Sequence, residues 1–485
     1  MKFTLLECMA ESLKHKTKVG LIWSFLNQFT NHGMQFAIGI FMARKLSPSD
    51  YGLTALPAVL LSIAGIFIEG HFGDALVRKN EVKEKDLSTA FLYTQVVGLF
   101  FYIIVFFASP FLADFYDTPI LTPMMRVTSL SFLYGAIGVP MTVILRRRLD
   151  FKTPFKVSIV CRLVSGIVGL TLAYTGYGVW ALVLSSLASS IVDLILTWSF
   201  VRWIPKTGWS KESFSYLWNY GNKMIASVLI DRIYNSISPA IIMKFYNSSS
   251  LGMYNRAFSY ASLPSMQITS TIQTVSFPVI SKMKNDDTKL RFEYRRMLRL
   301  SAFVVFPLMV MLCVLSRPLI ITMITAKWAS CVPYLQILCF SLMWFPINAL
   351  NLNLLRAKGR SDLFLRLEIV KKTLGVIILI FTLPRGLIAF CWGSVLSSIL
   401  SILVNTYYTG KLINYGFFRQ MMDILPMFLL SLVTGLVVYL MNIHITSLWL
   451  QIILGGIIGL SFYVIVAKLF KFKELDDARY MLAIK

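Results

Sequence analysis

Acidic residues are scarce in this sequence. Asp and Glu number 23 among 485 residues, and all charged types together make up 14% of the chain, where an ordinary soluble domain carries roughly 25%. A folded soluble chain of this length needs a polar skin that so few charges do not supply, and the soluble reading is excluded. Cysteine is also thin. Cys8, Cys161, Cys313, Cys331, Cys339 and Cys391 are scattered and form no CxxC pair, which removes a disulfide framework and a zinc site and leaves small buried hydrophobes. The opening MKFTLLECMAESLKHKTK has too short an apolar stretch and too many charges for a cleavable signal peptide, so insertion is expected to rely on the first helix. Long polar loops are missing as well: no connection between apolar runs exceeds about twenty residues, short enough for a plain connector. That leaves no room for an extramembrane catalytic domain.

What the chain has instead is apolar residues, 56% of the total, in recurring runs of about 20, each long enough to cross a hydrocarbon core of roughly 30 Å. The expected fold is an all-α polytopic membrane protein with about 14 transmembrane helices. The spans fall near 19–43, 51–76, 87–108, 121–145, 155–175, 178–201, 216–243, 251–281, 300–324, 330–355, 364–383, 386–409, 421–441 and 447–467. SPSDYG, YTGYG and LPRG punctuate them with Gly, Pro and Asp.

The net charge of +24 sits in short clusters between these runs. No basic stripe interleaved with aromatics lies on a polar fold, so nucleic acid is not an expected partner. The clusters fit the positive-inside rule and attraction to anionic lipid headgroups. With the N-terminus inside, Arg44, Lys45, Lys244, Arg317, Lys327 and Arg385 are external, and Arg126, Arg162, Lys223, Arg232 and Arg256 lie deeper within spans. The other 36 of the 47 Lys and Arg fall on cytoplasmic segments or the span ends beside them, and both termini are expected there.

The two halves resemble each other at an offset near 200 residues. LSPSDYGL at 46–53 lies over YNSSSLGM at 246–253, pairing Gly52 with Gly252. Leu145-Arg146 and Ile159-Val160 match Leu355-Arg356 and Ile369-Val370, and Gly178, Ala181, Ser189 and Ser190 match Gly386, Ala389, Ser397 and Ser398. Six helices per copy give both the same orientation, so the copies are expected to form two pseudo-two-fold related lobes about an axis along the membrane normal, with a cavity between them.

Each copy's first helix carries polar residues where lipid penalises them. Ser24, Asn27, Gln28, Asn31, His32 and Gln35 recur at i+3/i+4 spacing, as do Lys223, Ser227, Asp231, Tyr234, Asn235 and Ser238. Arg256, Tyr260, Gln267, Ser270 and Thr274 make a third stripe. A mid-membrane charge costs at least about 2.5–3.5 kcal/mol on insertion scales, so its retention points to a watery cavity or to a partner. Either Arg232 and Arg256 face a substrate, or they brace helices; Arg162 and Arg126 fit the bracing role better, with Arg162 close enough to Lys156 to snorkel inward. Asn27, Asn31, Gln35, Ser227, Asn235 and Gln267 are the expected polar lining. Asp231 is the best-placed carboxylate for ion coupling, while Glu69, Asp74, Asp193 and Glu368 are the other acids in or beside spans. Asn348, Asn351 and Asn353 are explained as well by helix–helix hydrogen bonds as by a substrate path.

GLIWSFLNQF at 20–29, ARKLSPSDYGL at 43–53, FGDALVRK at 72–79, LGMYNRA at 251–257 and FPVISKMKNDD at 277–287 together give the chain a family likeness. It resembles the polysaccharide exporters of the multidrug/oligosaccharidyl-lipid/polysaccharide flippase superfamily, the O-antigen and colanic-acid translocase branch in particular. The resemblance implies two six-helix lobes, 1–202 and 203–410, with two further helices and a basic cytoplasmic tail in 411–485. It implies a bacterial inner-membrane flippase that carries undecaprenyl-pyrophosphate-linked oligosaccharide to the outer leaflet by alternating access, in contact with membrane lipids and other polysaccharide-assembly proteins. Asp74 departs from the small or neutral residue expected in FGDALVRK. The anionic headgroup makes Arg232, Arg256, His32 and Lys223 the candidate binding residues, and Tyr234, Tyr254 and Tyr260 candidate sugar contacts. No cofactor or metal is expected; a proton or sodium gradient is the candidate energy source. The competing readings are a cation/drug antiporter of the same superfamily and a membrane glycan polymerase. The antiporter would favour acidic cavity residues, and the polymerase usually needs a substantial acidic external loop.

Overall fold

The computed structural model describes Trp23 and residues 26–477, apart from His71, Lys284 and Asn285. The side chains of Lys223, Ala226, Ser227, Val275, Phe277, Pro278, Val279 and Ser361 also lie outside the description. Among the described residues the regular structure is all helical, without a strand. Among the described residues ten helical segments are long and apolar enough to cross a bilayer, and helices also occupy the remaining four expected positions: 26–45, Lys211–Phe245, Ser248–Lys282 and Ser361–Thr382. Those four carry the polar stripes or the Arg366, Glu368, Lys371 and Lys372 cluster, which lowers their mean hydropathy. The protein is a multi-pass membrane protein.

The chain divides into two compact units, Met1–Gly252 and Met253–Lys485. The first holds α1 (26–45), α2 (Pro48–Leu53), α3 (Ala55–Glu69), α4 (Phe72–Arg78), α5 (Glu84–Phe115), α6 (Leu121–Arg147), α7 (Lys152–Tyr174), α8 (Trp180–Val201) and α9 (Lys211–Phe245). There α5 packs on α6, α7 on α8, and α6 on α8, while α3 packs against α6 and α9. Small residues set the spacing, as expected where lipid supplies no hydrophobic drive between helices. A Cβ on Gly98 of α5 would come within 3.1 Å of the Ala136 Cβ on α6, and one on Gly166 of α7 within 2.9 Å of Ile38 on α1. Asp86 ties the α4–α5 turn to α9: its carboxylate accepts from Lys79 Nζ (2.8 Å), Ser213 Oγ (2.7 Å) and the Lys83 N–H (2.9 Å).

The helix starts at the two aligned positions are both capped by a polar side chain. Ser47 caps α2 in a capping box, its Oγ accepting from the Asp50 N–H (3.2 Å) while Asp50 Oδ2 accepts from the Ser47 N–H (2.8 Å). Two hundred residues on, Asn247 caps α10 (Ser248–Lys282), its Oδ1 accepting from the Ser250 N–H at 2.7 Å. The two capped starts meet backbone to backbone. A Cβ on Gly52 would lie 1.7 Å from the Ser248 carbonyl oxygen and one on Gly252 1.8 Å from that of Pro48, while Ser49 Oγ and Ser248 Oγ are 2.6 Å apart. Backbone does not swing aside like a side chain, so Gly52→Ala and Gly252→Ala are each expected to cost about 1–3 kcal/mol. Thermal melting in detergent measures this, and the double variant should cost less than the sum because both changes relieve one contact.

The second unit holds most of α10 with α11 (Asp287–Val314), α12 (Ser316–Ile324), α13 (Val332–Leu342), α14 (Phe345–Ala357), α15 (Ser361–Thr382), α16 (Leu387–Ile413), α17 (Phe417–Ile443) and α18 (Leu448–Leu469). In it α11 packs on α17, α15 and α13 on α16, and α17 on α18. Asn351 is fully buried and joins three helices: Thr409 Oγ1 donates to its Oδ1 (2.7 Å), and its Nδ2 donates to Gln420 Oε1 (3.1 Å). Asn405 Nδ2 donates to Asn348 Oδ1 at 2.7 Å. For Asn348 and Asn351 helix–helix hydrogen bonding is what the structure contains. Arg299 and Arg296 of α11 hold Glu474 (2.5 Å) and Asp477 (2.6 Å).

Candidate functional site

Inside the first unit lies a cavity of about 730 Å³, within the range of roughly 300–1,000 Å³ typical of ligand pockets. Its α6 wall runs through Ser131, Gly135, Gly138, Thr142 and Arg146, spaced to share one helical face. From Ser131 to Arg146 that wall extends about 22 Å at 1.5 Å per residue, more than half the thickness of a hydrocarbon core. Ser186, Ser189, Ser190 and Asp193 of α8 supply a second wall at i, i+3, i+4 and i+7. Gly65 and Glu69 of α3 and Asp74 of α4 supply a third, and Asn31, Ser158, Cys161 and Arg162 close it.

A hydrogen-bond chain holds the α1–α7 corner. Asn31 Nδ2 donates to Asn27 Oδ1 (2.8 Å) and reaches Ser158 Oγ (3.1 Å), Ser158 Oγ donates to Asn27 Oδ1 (2.5 Å), and Arg162 Nε donates to Asn31 Oδ1 (3.1 Å). Arg162 thus bonds a residue 131 positions away rather than snorkelling toward Lys156, because Asn31 offers its guanidinium a fixed acceptor at the same depth. The rest of that guanidinium is left to the cavity. Arg146 Nη1 is 3.5 Å from Asp74 Oδ1 with both side chains largely exposed, a weak pair. Among the described residues no group of three or more His, Cys, Asp or Glu is placed to hold a metal ion.

The other expected residues sit elsewhere. His32 and Gln35 of α1 and Asp231, Arg232 and Asn235 of α9 are exposed and do not line this cavity. Lys223 and Ser227 lie outside the described side chains. Of the positions paired by the repeat, His32 with Arg232 and Gln35 with Asn235 are exposed at both members. An exposed guanidinium near the middle of a long helix does not rest against lipid, so Arg232 requires water or a polar group beside it. In the second unit Arg256 is half-buried, its guanidinium 5.4 Å from the Trp328 ring centroid and 5.7 Å from that of Tyr260, and Gln267 is half-buried. Tyr254 does not fit a sugar contact: it is buried between Phe258 and Phe390, and no ring face is open. Arg126 is held by Ser109 Oγ (3.2 Å) and the Phe106 ring (4.1 Å), a bracing role.

Sequence reasoning missed the serine and glycine walls. The signal was the spacing of Ser131, Gly135, Gly138 and Thr142, but small and hydroxyl residues at that spacing equally mark tight helix packing.

Residues 41–333 match a family described as polysaccharide biosynthesis protein. The teichuronic acid biosynthesis protein TuaB of Bacillus subtilis is 25% identical over 380 residues, covering 78% of each chain. The lipopolysaccharide biosynthesis protein WzxC of Escherichia coli is 24% identical over 440 residues, 89% of each. Among solved structures, the lipid II flippase MurJ in an inward closed conformation superposes with a TM-score of 0.73 at 20% identity, over 93% of this chain and 99% of the other. That likeness is one of fold.

Proposed function

The chain belongs to the polysaccharide biosynthesis protein family, and from that premise we propose that it is a transporter, a flippase that carries undecaprenyl-pyrophosphate-linked oligosaccharide across a bacterial cytoplasmic membrane by alternating access. The observation that carries the reading is a cavity running about 22 Å along a membrane-spanning helix, with hydroxyls and charged groups set among apolar residues; charged side chains at membrane depth mark a substrate or ion path by default. Relatives named for lipopolysaccharide and teichuronic acid biosynthesis support a glycan as that cargo. The short connections between helices favour transport over polymerisation.

In this reading Arg232, Arg256, His32 and Lys223 meet the pyrophosphate, because cationic groups in a low-dielectric space replace hydration that the headgroup loses. Asn27, Asn31, Gln35, Ser227, Asn235 and Gln267 line the path, and Asp231 couples transport to a proton or sodium gradient. Residues 1–202 and 203–410 are the moving lobes, residues 411–485 add two helices and the tail, and both termini face the cytoplasm. The acid excess of the cavity, Glu69, Asp74 and Asp193 against Arg146 and Arg162, is the one feature favouring cation antiport; pumping of a cationic dye by the purified protein would select that alternative. Deleting the gene tests the flippase. A lipid-linked glycan is expected to accumulate on the cytosolic face and to clear when the intact gene is restored, and a deletion strain with normal surface glycan and no accumulation contradicts the reading.

A further inference from the structure

Glycine inside a membrane helix normally allows two backbones to approach closely, as at Gly98 against Ala136. Gly65, Gly135 and Gly138 are different. A Cβ added at any of the three meets nothing within 4 Å, although all three line the cavity of the first unit. None has the positive φ that would demand glycine. Each gives up the helix propensity that alanine would supply, with no packing or backbone reason. What their missing side chains provide is room on the cavity side.

The α8 wall is a row of hydroxyls, Ser186, Ser189 and Ser190, with Asp193 one turn further. Hydroxyls both donate and accept, and carboxylates accept, which suits the hydroxyls of a sugar. The charge balance argues against a phosphate: two guanidinium groups face three carboxylates, and Arg146 already sits beside Asp74. A diphosphate entering that space would find no excess of cationic groups to replace its lost hydration. We propose that this cavity is a sugar compartment, in which a pyranose ring of the carried glycan lies against the bare α6 face at Gly135 and Gly138 while its hydroxyls bond to Ser186, Ser189, Ser190 and Arg162. The inference rests on the flippase reading and deepens it: sugars are held in this cavity, whose lining does not include His32, Arg232 or Arg256.

The test uses full-length protein in proteoliposomes and two probes, the lipid-linked glycan extracted from the deletion strain and undecaprenyl pyrophosphate bearing one sugar. Gly135→Ala and Gly138→Ala should melt at or above the wild-type temperature, since the added methyl enters open space. Gly138→Leu should fold and lower flipping of the full glycan at least tenfold, with a smaller effect on the single-sugar lipid. Full-glycan flipping at the wild-type rate by Gly138→Leu overturns the proposal. So does a lowered melting point in the alanine variants, which would make the glycines packing residues. Failure of wild-type protein to flip either probe would instead count against the flippase reading itself.

Discussion

Replacing Arg232 with alanine is expected to cut surface glycan at least tenfold while the protein remains in the membrane at near-normal abundance. The side chain is exposed in the middle third of α9. An exposed side chain contributes little packing, so its removal should leave stability within about 0.5 kcal/mol. A charge-assisted hydrogen bond to a phosphate oxygen contributes about 1.5–3 kcal/mol, equivalent to roughly ten- to a hundredfold in rate if made at the barrier. Arg232→Lys keeps the charge without the two-pronged donor geometry and should recover only part of the activity. Quantifying surface glycan against membrane-protein abundance separates the outcomes. Normal export by Arg232→Ala would remove this residue from the headgroup site. Arg256→Ala is a poorer probe, because its guanidinium also packs on Trp328 and Tyr260 and truncation would disturb both.

The largest effect on stability is expected at Asp86. Its side chain is 1% exposed, and its three donors come from the loop after α4, the start of α5 and α9. Asp86→Ala strands the Ser213 hydroxyl and the Lys83 N–H and leaves Lys79 without its counter-ion. Lys79 is 26% exposed and regains water, which holds the cost to about 3 kcal/mol, at the low end for breaking a buried pair. The expected result is a clear fall in melting temperature and abundance, with export per surviving molecule nearly unchanged. Asp86→Asn retains the acceptor for Ser213 and should lie between. Unaltered melting in Asp86→Ala would show that this node does not tie α5 to α9.

Most of the fold was legible because a bilayer reduces the question to hydropathy. A run of about 20 apolar residues has few alternatives to a spanning helix. Among the described residues ten helical spans are long and apolar enough to cross, with helices at the other four expected positions as far as these are described. The repeat was legible for another reason: capping chemistry is local, so Ser47 and Asn247 announce the same helix start from three or four neighbouring residues. The cavity was not legible. Whether Gly138 packs against a neighbour or faces space depends on where α3 and α8 lie, and nothing in the residues around position 138 encodes that. Nearness to Lys156 suggests that Arg162 snorkels inward, whereas its acceptor, Asn31 on α1, lies 131 residues away. Ser189 and Ser190 were visible as marks of the repeat, yet their counterpart Ser398 donates to the Ser341 carbonyl in a packed interface. Repeat-related positions therefore need not share a role.

The proposed flippase activity requires that this chain alone move a lipid-linked glycan from one leaflet to the other. Purified protein in vesicles loaded with the glycan lipid from the deletion strain tests that directly, using a membrane-impermeant enzyme that trims only outward-facing glycan. The prediction is that nearly all of the lipid becomes trimmable in vesicles containing the protein, against about half, the outer-leaflet share, in vesicles without it. Equal trimming in both, from a preparation that remains folded, would contradict it.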